Sequence, residues 1–387
     1  MQREILFARP FIEDEDINAI IEVLKSGWLS TGPKVKEFEK EFAHYIGAKY
    51  AVAVNSCTAA LHLALEGYNI GQGDEVITTP YTFVSTSEVI LYTGAKPVFV
   101  DIEPDGFNID PNNIEKAITK KTKAIIPVHI AGEPCELDEI LDIANRYNLV
   151  VIDDAAHALP AKYKGKMIGT MCDATCFSFY ATKNLATGEG GMLTTSSQGV
   201  AQKVEILRLH GMSREAWRRY SDAQASWYYE ILDKGYKYNM GDIQAAMGLV
   251  QLRKLAKMQA LRKKIVEIYN KELEDLNEFV ILPQERPGKE HAWHLYIIRL
   301  VQKNLKITRD EFINKLKEYG INTSVHFIPL HLMPYYRKTF GFKKGDFPNA
   351  EKTYESAVSL PLYPSLSEDD AEYVAKSVRK ILIEHRK

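Results

Sequence analysis

Between Tyr50 and Asp153 the chain alternates short apolar runs with amphipathic stretches, and this alternation restricts its possible folds more than any other feature. The runs are 50–54, 75–78, 97–100, 123–128 and 149–153, with helical patterns between them at 58–66, 84–91, 112–118 and 136–147. Strands that are apolar on both faces must be covered on both faces. The pattern therefore predicts an α/β fold, with a mostly parallel sheet in a large three-layer domain. In such sheets ligands bind beyond the carboxyl ends of the strands. The residues that follow each run are thus the ones to inspect.

After the first run comes Asn55-Ser56-Cys57-Thr58, small and polar, opening a helix. A helix start offers backbone N–H groups and a favourable dipole to a phosphate, although Thr58 is equally suited to be an ordinary N-cap. After the second run Phe83 stands near the sheet edge, as core or as a ring-stacking surface. The fifth run ends in Asp153-Asp154, with His157 three positions on. Two acids after so apolar a strand need a positive partner for at least one of them; the plainer alternative is a capping Asp beside a satisfied core His.

Residues 176–180 and 191–195 read as two further strands flanking Lys183, with Ser178 five residues before it. A lysine placed there sits at the end of a sheet, and desolvation makes an amine nucleophilic. A surface loop lysine is the plain alternative.

Asp14, Glu15 and Asp16 open an N-terminal helix that Gly27 ends. A Gly- and Pro-containing loop follows, with Trp28 as packing plug or ligand wall and Thr31 beside it, and then a second helix marked by Val35, Phe38, Phe42 and Ile46. Residues 201–209 are helical, and 217–238 show no clean period. From Asp242 a helical pattern runs on towards Leu276, long enough to join two domains. The division is expected at 1–250, a large domain with the N-terminal helical segment, and 251–387, a smaller α+β domain. In the latter, 291–301 and 321–327 read as strands, and 309–319 and 368–383 as helices.

The chain has 387 residues, 45% of them hydrophobic, which is enough for two cores. A formal net charge of −2, with both signs interspersed, gives no reason to expect nucleic acid or an anionic membrane as partner. Neither a signal peptide nor a membrane span is apparent. Four cysteines fit a reducing compartment, and a cytoplasmic location is expected. Cys172 and Cys176 are spaced like half a metal site, but no nearby pair completes it, so no metal is expected.

A lysine, a strand-end carboxylate, a phosphate cradle and an aromatic face are together the parts needed to hold pyridoxal 5′-phosphate. The motifs Gly-Trp-Leu-Ser-Thr-Gly-Pro, Asn-Ser-Cys-Thr-Ala-Ala-Leu, Asp-Asp-Ala-Ala-His, Phe-Ser-Phe-Tyr-Ala-Thr-Lys-Asn-Leu with Glu-Gly-Gly, and Gly-Tyr-Lys-Tyr-Asn-Met resemble those of the DegT-type nucleotide-sugar aminotransferases, which are fold-type I pyridoxal phosphate enzymes. The resemblance runs from about Ile5 to the Ser359–Pro364 stretch.

It implies that Lys183 carries the cofactor as a Schiff base and then shuttles the proton. Asp154 would partner the pyridinium nitrogen, with Asp153 behind it, and His157 would lie near the cofactor hydroxyl. Ser56, Cys57, Thr58 and Ser178 would hold the phosphate, and Phe83 would stack on the ring. Members often carry a smaller residue at the Cys57 position. Asn239 matches a residue that reaches the phosphate of the other subunit, implying a homodimer with shared sites. Trp28, Thr31, Lys237, His326 and Tyr336 fall in segments that line the sugar-nucleotide side.

The implied reaction has two halves. An amino acid, glutamate by resemblance, leaves its nitrogen as pyridoxamine 5′-phosphate, and the nitrogen then passes to a keto group on a nucleotide-linked sugar. The segment from His210 to Met240, with Trp217, Arg218, Arg219, Tyr220 and its Gly-Tyr-Lys-Tyr-Asn ending, resembles members that make 4-amino sugars for surface glycans, with UDP as the nucleotide and 3-amino formation as the alternative. Sugar dehydratases of this fold carry histidine in place of the lysine, which Lys183 argues against. Enzymes restricted to amino acids usually clamp a carboxylate with arginine, and no arginine falls in a site motif. Nothing in the sequence supports a non-catalytic regulator.

Overall fold

The computed structural model describes residues 3–213 and 228–387. Seven strands form the central sheet: β1 (Tyr50–Val54), β2 (Glu75–Thr78), β3 (Lys96–Phe99), β4 (Thr122–Ile125), β5 (Val150–Asp154), then Ala174–Ser178 and Gly191–Thr195. Two short strands, Lys162–Tyr163 (β6) and Lys166–Met167 (β7), intervene, so the last two of the seven are β8 and β9. The order is β1-β9-β8-β5-β4-β2-β3. All pairs are parallel except those of β9, which runs antiparallel to both β1 and β8.

Each face of the sheet has its own apolar core. One holds Phe38, Phe42, Phe177 and Phe179; the other holds Leu61, Leu63, Val89 and Ile152. Side chains alternate across a strand, so Phe177 and Cys176 of β8 enter opposite cores. The predicted three-layer α/β architecture is what the chain forms.

Several helices begin or end where the sequence supplies a cap. Helix α1 (Asp14–Ser26) opens with a reciprocal capping box between Glu13 and Asp16 and closes on Gly27 in the left-handed conformation, φ 73°. Helix α2 (Pro33–Ile46) starts with proline and ends on Gly47, and α3 (Cys57–Gly67) is capped by the Ser56 hydroxyl, which accepts from the Ala59 N–H.

The smaller unit is built on a three-stranded antiparallel sheet of Val280–Ile281 (β10), Tyr296–Leu300 (β12) and Ala357–Leu360 (β13), ordered β10-β12-β13, while Lys289–Glu290 (β11) pairs back onto β6. Its core gathers Tyr269, Phe312, Leu316, Val374 and Ile381, and also Ile5 from the other end of the chain. The Ile5 amide donates to the Gly320 carbonyl at 2.8 Å, and the Asn322 amide donates to the Ile5 carbonyl at 3.0 Å.

Three expectations change in detail. The long helix from Asp242 is two helices, Asp242–Arg253 and Leu255–Leu273. The break is Lys254, whose ammonium turns onto the buried Asp16 carboxylate. The stretch expected as a strand from His291 is one only over Tyr296–Leu300, because Ala292, His294 and Leu295 donate to the carbonyls of the Ala131-Gly132 turn in the large unit. Residues 321–327 make single bridges at Ile321 and Ser324 and then turn inward.

Candidate active site

A cavity of about 370 Å³ opens at the carboxyl ends of β1, β5 and β8, where the two units meet. Ser56, Cys57, Thr58, Phe83, Asp154, His157, Ser178, Lys183 and His326 all line it. Nine of the fourteen residues singled out in the sequence therefore converge on one space, although their sequence positions span most of the chain.

Lys183 sits in the loop between β8 and β9, its backbone N–H donating to the Tyr180 carbonyl at 2.8 Å. Burial lowers its amine to a pKa of about 8, against the smaller opposing pull of the Cys57 sulfur and the Asp154 carboxylate. An amine in that range exchanges protons readily near neutral pH.

Asp154 ends β5. Its Oδ2 accepts from the Thr86 hydroxyl at 2.7 Å and its Oδ1 from the Ala156 N–H at 3.1 Å. Burial raises its pKa, while Thr86, then Ala156 and then Lys183 pull it down. Asp153, on the opposite face of the strand, accepts from the Thr175 hydroxyl at 3.2 Å and lies 3.5 Å from His129 Nε2. The two acids thus divide as strand alternation dictates, one to the cavity and one to the core.

The cap of α3 is Ser56 rather than Thr58, which leaves the Thr58 hydroxyl free for the cavity. Cys57 Sγ donates to the Cys176 carbonyl at 3.4 Å, and burial, followed by the Asp154 charge, keeps its thiol protonated. Next to this turn a Cβ on Gly191 would lie 2.5 Å from the Ser56 carbonyl and 2.7 Å from the Cys57 nitrogen. A Cβ on Gly190 would lie 2.5 Å from Thr187 Oγ1. Close approach to the Ser56–Cys57 backbone accounts for Gly191, and close approach to the side chains of Thr187, Met240 and Phe179 accounts for Gly190.

Phe83 keeps 59% of its surface exposed, an open aromatic wall rather than core. These residues fit pyridoxal phosphate: an amine, a buried carboxylate with room for one more contact, an exposed ring face, and a helix start with free N–H groups and hydroxyls. Among the described residues no arginine lines the cavity.

The other five residues lie elsewhere. Trp28 Nε1 donates to the Thr31 carbonyl (3.1 Å), Thr31 Oγ1 to the Met240 carbonyl (2.6 Å), Asn239 Nδ2 to Thr31 Oγ1 (2.7 Å) and Lys237 Nζ to Asn239 Oδ1 (2.7 Å). These four form one cluster that does not line the cavity of its own chain. Tyr336 is 2% exposed and packs on Phe99 and Phe340, also away from the cavity. Trp217, Arg218, Arg219 and Tyr220 lie outside the described residues.

Sequence reasoning gave no role to Thr86, Asn184, His294 or Phe327. Thr86 stands one helical turn after Phe83 and had no distinguishing signal. His294 was hidden in a stretch that reads as a strand, where a second histidine three residues after His291 was the available clue.

Residues 10–379 match the DegT/DnrJ/EryC1/StrS aminotransferase family. The chain is 58% identical over 378 residues to the uncharacterized protein MJ1066 of Methanocaldococcus jannaschii, covering 98% of this chain and 97% of that one. It is 54% identical over 377 residues to the spore coat polysaccharide biosynthesis protein SpsC of Bacillus subtilis, with coverages of 97% and 96%. Spr1654 of Streptococcus pneumoniae, which carries the name sugar aminotransferase, superposes in its PMP-form with a TM-score of 0.92 at 35% identity, over 98% of this chain and 100% of that one; its PLP-form superposes at 0.91. The chain belongs to the DegT/DnrJ/EryC1/StrS aminotransferase family and is a pyridoxal phosphate-dependent aminotransferase of fold type I.

Proposed function

We propose that this enzyme moves an amino group from an amino acid, glutamate foremost, to the keto group of a UDP-linked 4-keto sugar, making an amino sugar for surface glycans in the cytoplasm. The relative named for spore coat polysaccharide biosynthesis and the structural neighbour named as a sugar aminotransferase support the sugar acceptor. The observation that carries the reading is the Lys183 amine, with a pKa near 8, facing the same cavity as Asp154.

Bound pyridoxal phosphate supplies an electron-accepting ring through which nitrogen is exchanged. Asp154, held by Thr86 and Ala156, would keep the ring nitrogen protonated. Lys183 Nζ takes the proton from the carbon that loses nitrogen and returns one to the carbon that gains it. The start of α3, with Ser56, Thr58 and Ser178, would orient the phosphate, and Phe83 would cover one face of the ring.

We further propose a homodimer in which the Trp28, Thr31, Lys237 and Asn239 cluster completes the partner's cavity. The cluster is polar and ordered yet does not line its own cavity. Beside it α1 exposes Ile17 at 49%, Ile21 at 38% and Leu24 at 53%, an apolar stripe at helical spacing. Among the described residues, no helix is long and apolar enough to cross a membrane.

The test is to add UDP-linked 4-keto sugars to the pyridoxamine form. The absorbance of lysine-bound cofactor should return with a sugar of this class and not with a free 2-keto acid acceptor other than that of the donor. No response to any nucleotide-linked keto sugar would rule the acceptor class out.

A further inference from the structure

Two buried histidines, one from each unit, meet on one wall of the cavity. His157 follows β5 and His294 precedes β12; their ring centroids are 4.4 Å apart, and both line the cavity. The partners at each Nδ1 decide what the rings can offer.

Asn184, next to Lys183 in the chain, is buried. Its Nδ2 donates to the Leu159 carbonyl at 2.9 Å and to the Ala292 carbonyl at 2.7 Å. An amide nitrogen has two hydrogens, so both are in use. Turning the amide over would set its oxygen against two carbonyl oxygens, which fixes the assignment. Oδ1 is therefore an acceptor. Its 3.2 Å contact with His294 Nδ1 requires the hydrogen to sit on that nitrogen.

His157 is the reverse case. Its Nδ1 accepts the Ala131 N–H at 3.2 Å, so the neutral ring carries its hydrogen on Nε2. Burial keeps both rings neutral, the Lys183 charge adding to the effect. The same Ala131 accepts at its carbonyl from the N–H groups of His294 (3.0 Å) and Leu295 (3.2 Å), so one turn holds both histidines. That turn is tight: Gly132 has φ +100°, and a Cβ there would stand 2.8 Å from the His157 carbonyl oxygen. On its other side His157 stacks on Phe327, with centroids 5.9 Å apart.

We propose that Asn184 and His294 are positioning residues for the amino transfer. The Asn184 amide locks His294 with its hydrogen on Nδ1, and His294, packed on His157, holds the His157 Nε2–H toward the cavity. The wall then presents a donor nitrogen beside an acceptor nitrogen, matched to a ligand that carries an oxygen acceptor next to an O–H or N–H donor. Only the ligand side of this proposal rests on the cofactor reading; the hydrogen placement does not.

The experiment uses ¹⁵N-histidine-labelled protein stripped of cofactor. Long-range proton–nitrogen correlations should show hydrogen on Nδ1 of His294 and on Nε2 of His157. Asn184→Leu should move His294 away from the Nδ1–H form and weaken pyridoxal phosphate binding about fivefold to tenfold, the size of one hydrogen bond. His294→Asn, which keeps a donor in the place of Nδ1, should preserve the His157 hydrogen position and most of the affinity, and His294→Phe should not. Hydrogen on Nε2 of His294 in the unsubstituted protein overturns the proposal. So does an unchanged cofactor dissociation constant in both Asn184→Leu and His294→Phe. If Asn184→Leu does not fold, the contrast between His294→Asn and His294→Phe decides. Correct hydrogen placement in a protein that binds no pyridoxal phosphate would instead sink the cofactor reading.

Discussion

The Thr86 hydroxyl donates to Asp154 Oδ2 at 2.7 Å while sharing a 2.8 Å contact with Thr82, so the acid at the end of β5 is held by a helix that starts after β2. Thr86 is the largest influence holding the Asp154 pKa down against burial. Replacing it with valine keeps the shape and removes the donor. Thr86→Val should move the acid limb of kcat/KM up by about one pH unit, since a hydrogen bond to a charged group contributes about 1.5 kcal/mol. A pH–rate profile with an unmoved acid limb would count against this role.

Lys183 predicts a pH-dependent stability difference in the cofactor-free protein. Its folded pKa, about 8, lies below the ordinary lysine value, so the unfolded chain binds the proton more tightly. Stability therefore rises as the pH climbs from about 8 towards the ordinary value. Lys183→Met should abolish activity yet stabilise the cofactor-free protein at pH 7 by roughly 1–3 kcal/mol. The gain should shrink above pH 8. Urea unfolding at several pH values measures it.

Gly191→Ala should be costly although the residue is not in a left-handed conformation. The added Cβ meets backbone atoms of Ser56 and Cys57 at 2.5 to 2.7 Å, and backbone yields less than a side chain. Overpacking of this kind costs about 1–3 kcal/mol. The displaced atoms belong to the α3 start, so thermal stability and cofactor affinity should fall together.

Arg208, almost fully buried, pairs with Glu39 and donates to the Ala53 carbonyl at 2.7 Å; Glu39 in turn accepts the Ala53 N–H at 3.0 Å. Arg208→Met leaves the Glu39 charge buried without this partner and should destabilise by about 3–5 kcal/mol. The double variant with Glu39→Gln should recover part of that loss. Denaturant midpoints of the single and double variants test the coupling.

If the Asn239 cluster serves the partner's cavity, two weak variants should complement each other. Lys183→Ala removes the amine, and Asn239→Ala removes the contact made across the dimer. Co-expressed chains should form mixed dimers with one intact site and regain activity that neither variant shows alone. Absence of complementation in a purified mixed dimer would place Asn239 in its own chain's site or in none.

The sheet was legible because β1, β2 and β9 are short apolar runs with polar ends, and their predicted limits match the observed ones. Asp154 and Ser56 were legible because they stand at or just past the ends of such runs, and Lys183 because it lies in the loop between two of them. His294 was not, because its conformation is set by hydrogen bonds to Ala131 in the other unit. Residues 321–327 misled for a similar reason: their alternation suits a strand, but the Tyr81 hydroxyl and Ser359 hold His326 at the cavity. Pattern reports what a segment prefers alone. It does not report what a distant partner imposes.

The pairing of Ile5 with the Gly320–Asn322 segment has a consequence in time. Residues translated early must wait for a strand mate translated late, and contacts between distant parts of a chain form slowly. Phe7 and Ala8, which line the cavity, stand two and three residues after Ile5, so the vestibule closes after the sheet that supports it. The nascent chain would thus hold an open, incomplete site until residues 320–322 have been made. Pulsed hydrogen exchange during refolding should find the Ile5 amide protected after those of β5 and β8.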